Sequence, residues 1–182
     1  MIITPTTLPE VLLIEPVAHG DQRGFFVETW RQDRYAAAGI PGPFVQDNHS
    51  RSVRHTLRGL HYQVQRPQGK LVRATMGTIF DVAVDMRRSS ATFGRWVGAV
   101  LSDANHRQLW IPPGFAHGFY VLSDVADLIY KCTALYAAEC DRSVRWDDPE
   151  LGIEWPLADG AAPLLSAKDT VAPSFREAEA YP

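Results

Sequence analysis

Residues 70–86, KLVRATMGTIFDVAVDM, decide how the chain is read. On either side of Gly77 lies a short run rich in β-branched residues, Val72 and Thr75 before it, Thr78, Ile79, Val82 and Val84 after it. Both runs read as strands, with the glycine turning the chain between them. The same character recurs outward in both directions. Downstream come RWVGAVL (95–101), HRQLWIPP (106–113), HGFYVLS (117–123) and ADLIYKCTALY (126–136); upstream come VLLIEP (11–16), GFFVETW (24–30) and FVQDNHS (44–50). Gly, Pro, Asn or Asp bounds each of them. RQDRYAAAG (31–39) alone has helical composition, with Gly39 as its stop. So many short strands with so little helix predict a mainly β fold, a jelly-roll sandwich or barrel whose two sheets enclose a cavity. From about Asp147 onward the chain is rich in Pro, Ala and Asp, which predicts turns and short helical pieces covering one end of the barrel.

The apolar fraction, 46% of 182 residues, is enough for one sizeable core, so residues 1–182 read as a single domain. A formal net charge of −3 without runs of like charge offers no footprint for a nucleic-acid backbone. No segment has the apolar length of a membrane span, and the opening MIITPTTLPE lacks a basic region followed by an apolar one. A cytoplasmic protein with a small-molecule partner is expected. Cys132 and Cys140 read as unpaired structural thiols in a reducing compartment.

The chemistry concentrates in residues 44–63, FVQDNHSRSVRHTLRGLHYQ, where Gln46, Asp47, Asn48, His49, Arg51, Arg54, Arg58 and His61 crowd among few apolar positions. Taken alone, such a run is also what a solvated edge strand looks like; the functional reading is a strand whose polar side chains enter a cavity and find partners there. Strict alternation would put Arg58 and His61 on opposite faces, and a bulge at Gly59 would bring both to one side. A second run, IPPGFAHGFYV, carries Pro112, Gly114 and His117 in the order PxGxxH. This resembles the second motif of cupins, in which the histidine enters the barrel. The first cupin motif normally supplies a histidine pair and a glutamate for a metal, whereas GLHYQV offers His61 alone, so no metal and no other cofactor is expected.

Seven blocks in order, DQRGFFVETW (21–30), QDNHSRS (46–52), LRGLHYQ (57–63), QGKLVR (68–73), PPGFAHGF (112–119), YKCTALY (130–136) and LSAKD (165–169), resemble the dTDP-4-dehydrorhamnose 3,5-epimerases, a metal-free cupin family. The resemblance implies an epimerase that inverts C3 and C5 of dTDP-4-dehydro-6-deoxy-D-glucose. His61 would be the base, Asp169 its orienting carboxylate, Tyr130 the proton donor on the far face of the ring, and Lys70 the cation at the C4 oxygen. Arg58 and Arg23 would bind phosphate and sugar, Tyr136 would stack on the nucleobase, and Phe26, Glu28, Gln46, Asp47, Asn48 and His117 would support them, with Asp141 and Lys168 as further polar contacts. It also implies a homodimer in which an early strand crosses to the partner, carrying Arg23, Phe26 and Glu28 to the neighbouring site. Read without the family, Asp169 is equally a helix cap, Tyr130 a core ring, and Lys70 and the arginines surface charges. Asp81 and Asp85 share a face, and either could line the cavity. The sequence departs from the family's usual pattern at His55 and Leu135. Three other readings remain: a mono-epimerase acting on a related dTDP-4-keto-6-deoxy sugar, a metal-dependent cupin enzyme, and a non-catalytic sugar-nucleotide binding module, against which His61, Tyr130 and Lys70 argue.

Overall fold

A computed structural model of the chain describes residues 1–158 and 161–182. Among the described residues thirteen strands run in order as β1 (Ile2–Pro5), β2 (Leu12–Glu15), β3 (Ala18–Asp21), β4 (Gly24–Val27), β5 (Gln46–Val53), β6 (Leu57–Gln63), β7 (Lys70–Met76), β8 (Thr78–Asp85), β9 (Trp96–Ser102), β10 (Gln108–Ile111), β11 (Phe115–Val121), β12 (Val125–Cys132) and β13 (Asp141–Ser143). Two short helices join them, α1 (Gln32–Ala37) and α2 (Ala167–Thr170). One antiparallel sheet has the order β1-β2-β10-β7-β12-β5, the other β13-β6-β11-β8-β9, and β3-β4 stands apart as a hairpin. This is the mainly β, jelly-roll-like arrangement that the strand pattern predicts. Apart from β1-β2 and β8-β9, neighbouring strands in the two sheets are not consecutive in the chain, so both sheets require long-range pairing.

Side-chain alternation divides the molecule into layers. Val72 and Ala74 of β7, Leu128 of β12, Ile79 and Ala83 of β8, and Phe119 and Val121 of β11 all point between the sheets and form the main core. The opposite face of β6 and β8 presents Leu60, Tyr62, Val82 and Val84, which the C-terminal stretch covers with Trp155, Phe175 and Tyr181. That stretch therefore lies along the outside of a sheet rather than closing one end of the barrel, as its composition suggested. The reason is visible in its aromatics: three large rings need an apolar surface, and the strand faces supply one. Both cysteines are buried and unpaired.

The bulge sits at Gly59. On β11, His117 pairs with His61 and Phe119 with Arg58, so three steps along β6 match two along β11. Gly59 has φ +125, and an added Cβ would lie 2.6 Å from Gly118 Cα and 2.9 Å from the His117 carbonyl oxygen. Only glycine tolerates both the backbone angle and the contact. The phase reset sends Leu60 and Tyr62 outward while His61 and Arg58 face the cavity. His55, where the family pattern often has glycine, adopts φ 65 in the turn before β6, and its Nδ1 lies 2.7 Å from the Tyr120 hydroxyl.

Candidate active site

Between the sheets, beyond the apolar core, lies a cavity of about 350 Å³. The sheet containing β6 and β11 supplies His61, Arg58, His117 and Phe119 to its wall; the opposing sheet supplies Lys70, Tyr130, Gln46, Asn48 and Ser50. Tyr136, Gln68, Asp141 and Lys168 stand at its rim. His61 and Tyr130 thus face one space from opposite walls.

His61 Nε2 lies 2.5 Å from Asp169 Oδ1. Asp169 is buried at the start of α2, where Ser166 caps the helix by accepting from the Asp169 amide and donates its hydroxyl to Asp169 Oδ2 at 2.9 Å. The S-x-x-D turn at the start of α2 also fixes the carboxylate that meets His61. Burial pushes the Asp169 carboxyl up, but the bonds from His61, Ser166 and the Gly59 amide outweigh it and hold the group below its ordinary value. A carboxylate on Nε2 fixes the tautomer and leaves Nδ1 to take a proton.

Tyr130 on β12 is half-buried, and desolvation raises its phenol above the usual 10, so it stays protonated at neutral pH. Lys70, at the start of β7, is buried, with Nζ 3.4 Å from the His61 carbonyl oxygen. Its burial lowers the ammonium from 10.5, an effect that negative charge on a bound molecule would oppose. His117 is likewise buried and held down by desolvation, with Nε2 2.8 Å from Asp81 Oδ1. Asp81, not Asp85, is the acid that reaches a cavity histidine, His117. Asp85 instead bonds Arg87, Ser90 and Thr92 and does structural work.

Gln46, Asn48, Arg58, His61, Lys70, His117, Tyr130, Tyr136, Asp141 and Lys168 line one space, with Asp169 behind His61. Four other named residues lie elsewhere on this chain. Asp47 points to the outer face of β5 and bonds Lys131 at 3.0 Å, since it alternates with Gln46 and Asn48. Arg23, Phe26 and Glu28 belong to the β3-β4 hairpin and the turn after it, where Arg23 pairs with Asp21 and Glu28 with Arg34. Ser50, Gln63, Gln68 and Phe119 also line the cavity, although none of them stands out in the sequence as a site residue. Parity with Gln46 and Asn48 pointed to Ser50, and parity with His61 pointed to Gln63; Gln68 lies in a loop and carries no such signal. Among the described residues no group of three or more His, Cys, Asp or Glu side chains could hold a metal ion.

The family model described as dTDP-4-dehydrorhamnose 3,5-epimerase matches residues 5–177. The chain belongs to this family. A dTDP-4-dehydrorhamnose 3,5-epimerase of Pseudomonas aeruginosa is 56% identical over the full length of both chains. Among solved structures, a dTDP-6-deoxy-D-glucose-3,5-epimerase of Legionella pneumophila, in complex with dTDP-4-keto-L-rhamnose, superposes with a TM-score of 0.94 at 52% identity, covering 97% of this chain and 93% of that one. A 3'-monoepimerase of Streptomyces bikiniensis, in complex with dTDP-quinovose, gives 0.88 at 36% identity over 95% and 87%. The frame of this chain is therefore similar both to 3,5-epimerases and to a protein named as a 3'-monoepimerase.

Proposed function

We infer that the chain is a dTDP-4-dehydrorhamnose 3,5-epimerase, converting dTDP-4-dehydro-6-deoxy-D-glucose to dTDP-4-dehydro-L-rhamnose. One observation carries the reading: a carboxylate-backed imidazole and a protonated phenol look into the same cavity from opposing sheets. The C4 ketone acidifies the hydrogens on C3 and C5. His61 removes one as a proton, the electron pair passes to the C4 oxygen, and the Lys70 ammonium stabilises the resulting enolate. Tyr130 then protonates the carbon from the other face, and the configuration inverts. Asp169 steadies the imidazolium while it exists.

For the nucleotide half, Arg58 supplies a fixed positive charge for the diphosphate and the Tyr136 ring a flat surface for thymine. Gln46, Asn48, His117, Asp141 and Lys168 provide the polar lining. No metal and no other cofactor enters this scheme. The β3-β4 hairpin exposes Phe25 and Phe26 at 64% and 72%, which suits a homodimer in which Arg23, Phe26 and Glu28, with Asp47 nearby, complete the partner's site. The protein acts as one domain, in the cytoplasm; no helix among the described residues is long and apolar enough to cross a membrane.

The decisive experiment runs the reaction of dTDP-4-keto-6-deoxyglucose in heavy water and scores deuterium by proton NMR. Label at both C3 and C5 is expected. Label at one carbon alone would make the enzyme a mono-epimerase.

A further inference from the structure

The loop of residues 133–137, between β12 and β13, carries Tyr136 at the cavity rim, and the side chains of Leu135 and Tyr136 are both exposed. It belongs to no sheet, yet its backbone groups are bonded one after another. Gly69 holds Thr133, accepting from its amide at 3.0 Å and donating to its Oγ1 at 2.8 Å. The Ala137 carbonyl accepts from the Cys140 amide at 3.0 Å, and four further bonds come from glutamines. Gln68 Nε2 donates to the Ala134 carbonyl at 2.8 Å, Gln63 Nε2 to the Leu135 carbonyl at 3.3 Å, Gln46 Oε1 accepts from the Tyr136 amide at 2.8 Å, and Gln63 Oε1 from the Ala137 amide at 2.8 Å. A carboxamide suits this because it both donates and accepts, so one side chain can grip a carbonyl and an amide of the same loop.

Gln63 is the centre of the arrangement. It is 2% exposed, its second Nε2 proton goes to the Arg66 carbonyl at 2.9 Å, and its own carbonyl accepts from the Tyr181 hydroxyl at 2.5 Å. Its amide is therefore fully engaged with protein, which leaves it no donor for a ligand. It also sits two residues after His61 on β6, so a single strand sets both the base and the platform that Tyr136 forms. Gln46 is similarly occupied, its Nε2 bonding Asn48 Oδ1 at 3.0 Å.

We propose that Gln63, assisted by Gln46 and Gln68, is a positioning residue for nucleotide specificity: the three amides fix the Tyr136 ring at the distance from His61 that a nucleoside diphosphate sugar spans. The proposal rests on Tyr136 stacking against the nucleobase. Gln63→Met keeps the side-chain volume and removes all three bonds, while Gln63→Glu keeps the acceptor for the Ala137 amide and loses the donors. Binding energy spent on the nucleotide is the same in ground and transition states, so its loss shows in KM and not in kcat. Gln63→Met should raise KM for the dTDP-4-keto sugar and Kd for dTDP by about tenfold, with kcat changed by less than about threefold. Gln63→Glu should fall between it and the parent.

Tyr136→Ala should weaken dTDP as well, and the double variant should be no weaker than the worse single one, because both changes remove the same platform. Additive losses, or a fall in kcat at unchanged KM, would overturn the proposal. Should Tyr136→Ala bind dTDP like the parent, the stacking reading falls and takes the proposal with it. Should Tyr136→Ala be weak while Gln63→Met is unaffected, the proposal alone falls. Should Gln63→Met not fold, Gln68→Met at the rim removes one bond, and a KM rise of about threefold is expected there; an unchanged KM counts against the cradle.

Discussion

His61 and His117 are partners across β6 and β11, and each holds an aspartate through Nε2, at 2.5 Å from Asp169 and 2.8 Å from Asp81. The surroundings of the two pairs differ. The His61 side chain is 32% exposed and that of His117 7%. Both oxygens of Asp169 are bonded, to His61 and to Ser166, whereas Asp81 Oδ2 has no partner among the described residues. A base must gain and lose a proton at every turnover, which needs access to the cavity and a carboxylate whose charge is held by other donors. Only the first pair has both. In the second, burial outweighs the attraction of Asp81 and holds the imidazole below 6.5, so His117 stays neutral and serves as a fixed polar wall.

The sharpest way to break this contrast is to remove the rings themselves. His61→Ala should lower kcat by about 10³-fold or more, on the scale of losing a general base, while calorimetry finds dTDP binding retained. Comparable turnover by the variant would move the base elsewhere. Next come the carboxylates. Asp169→Asn keeps the shape but offers Nε2 the wrong tautomer partner, and a loss of about 10²-fold or more in kcat is expected. Asp81→Asn should cost less than about tenfold, because His117 carries no proton through the cycle. Equal losses in the two variants, measured side by side at saturating substrate, would erase the distinction between the pairs.

How far this was readable beforehand depended on what each residue needs from its neighbours. The strands were legible because β-branched runs between turn residues have few alternatives, and the Gly59 bulge followed from the parity conflict between Arg58 and His61. The short β1, β3 and β13 were not, since AHGD and DRS carry no β-branched, Phe, Tyr or Trp residue and IITP runs into a proline, and such strands form only against a partner already in place. Within the site, the family resemblance named Gln46, Asp47 and Asn48 together; parity along β5 would have kept the first and third and set Asp47 aside on this chain. The partnership of Asp169 with His61 spans 108 positions, and no local pattern encodes it; only the family resemblance joined them. The hold of Gln46, Gln63 and Gln68 on the Tyr136 loop was invisible for a related reason, because each acts on backbone groups, which carry no identity in a sequence.

The two pairs also part in how they tie stability to pH, and here the expected effects are smallest. A group whose folded pKa is depressed lets the unfolded chain bind more protons, so stability falls as pH drops below the unfolded pKa and stops falling below the folded one. Both Asp169 and His117 are depressed, but they start from different places. His117 begins to cost stability below about pH 6.5, and Asp169 only below about pH 3.9. Melting temperatures recorded from pH 8 to pH 5 should therefore decline on the acid side, and His117→Gln should flatten that slope whatever it does to the absolute value. Asp169→Asn should leave the same slope in place, since its own window lies lower. A parent slope that survives His117→Gln would mean that the buried imidazole is charged in the folded protein, paired with Asp81 as an ion, and the division between a working and a silent histidine would have to be redrawn.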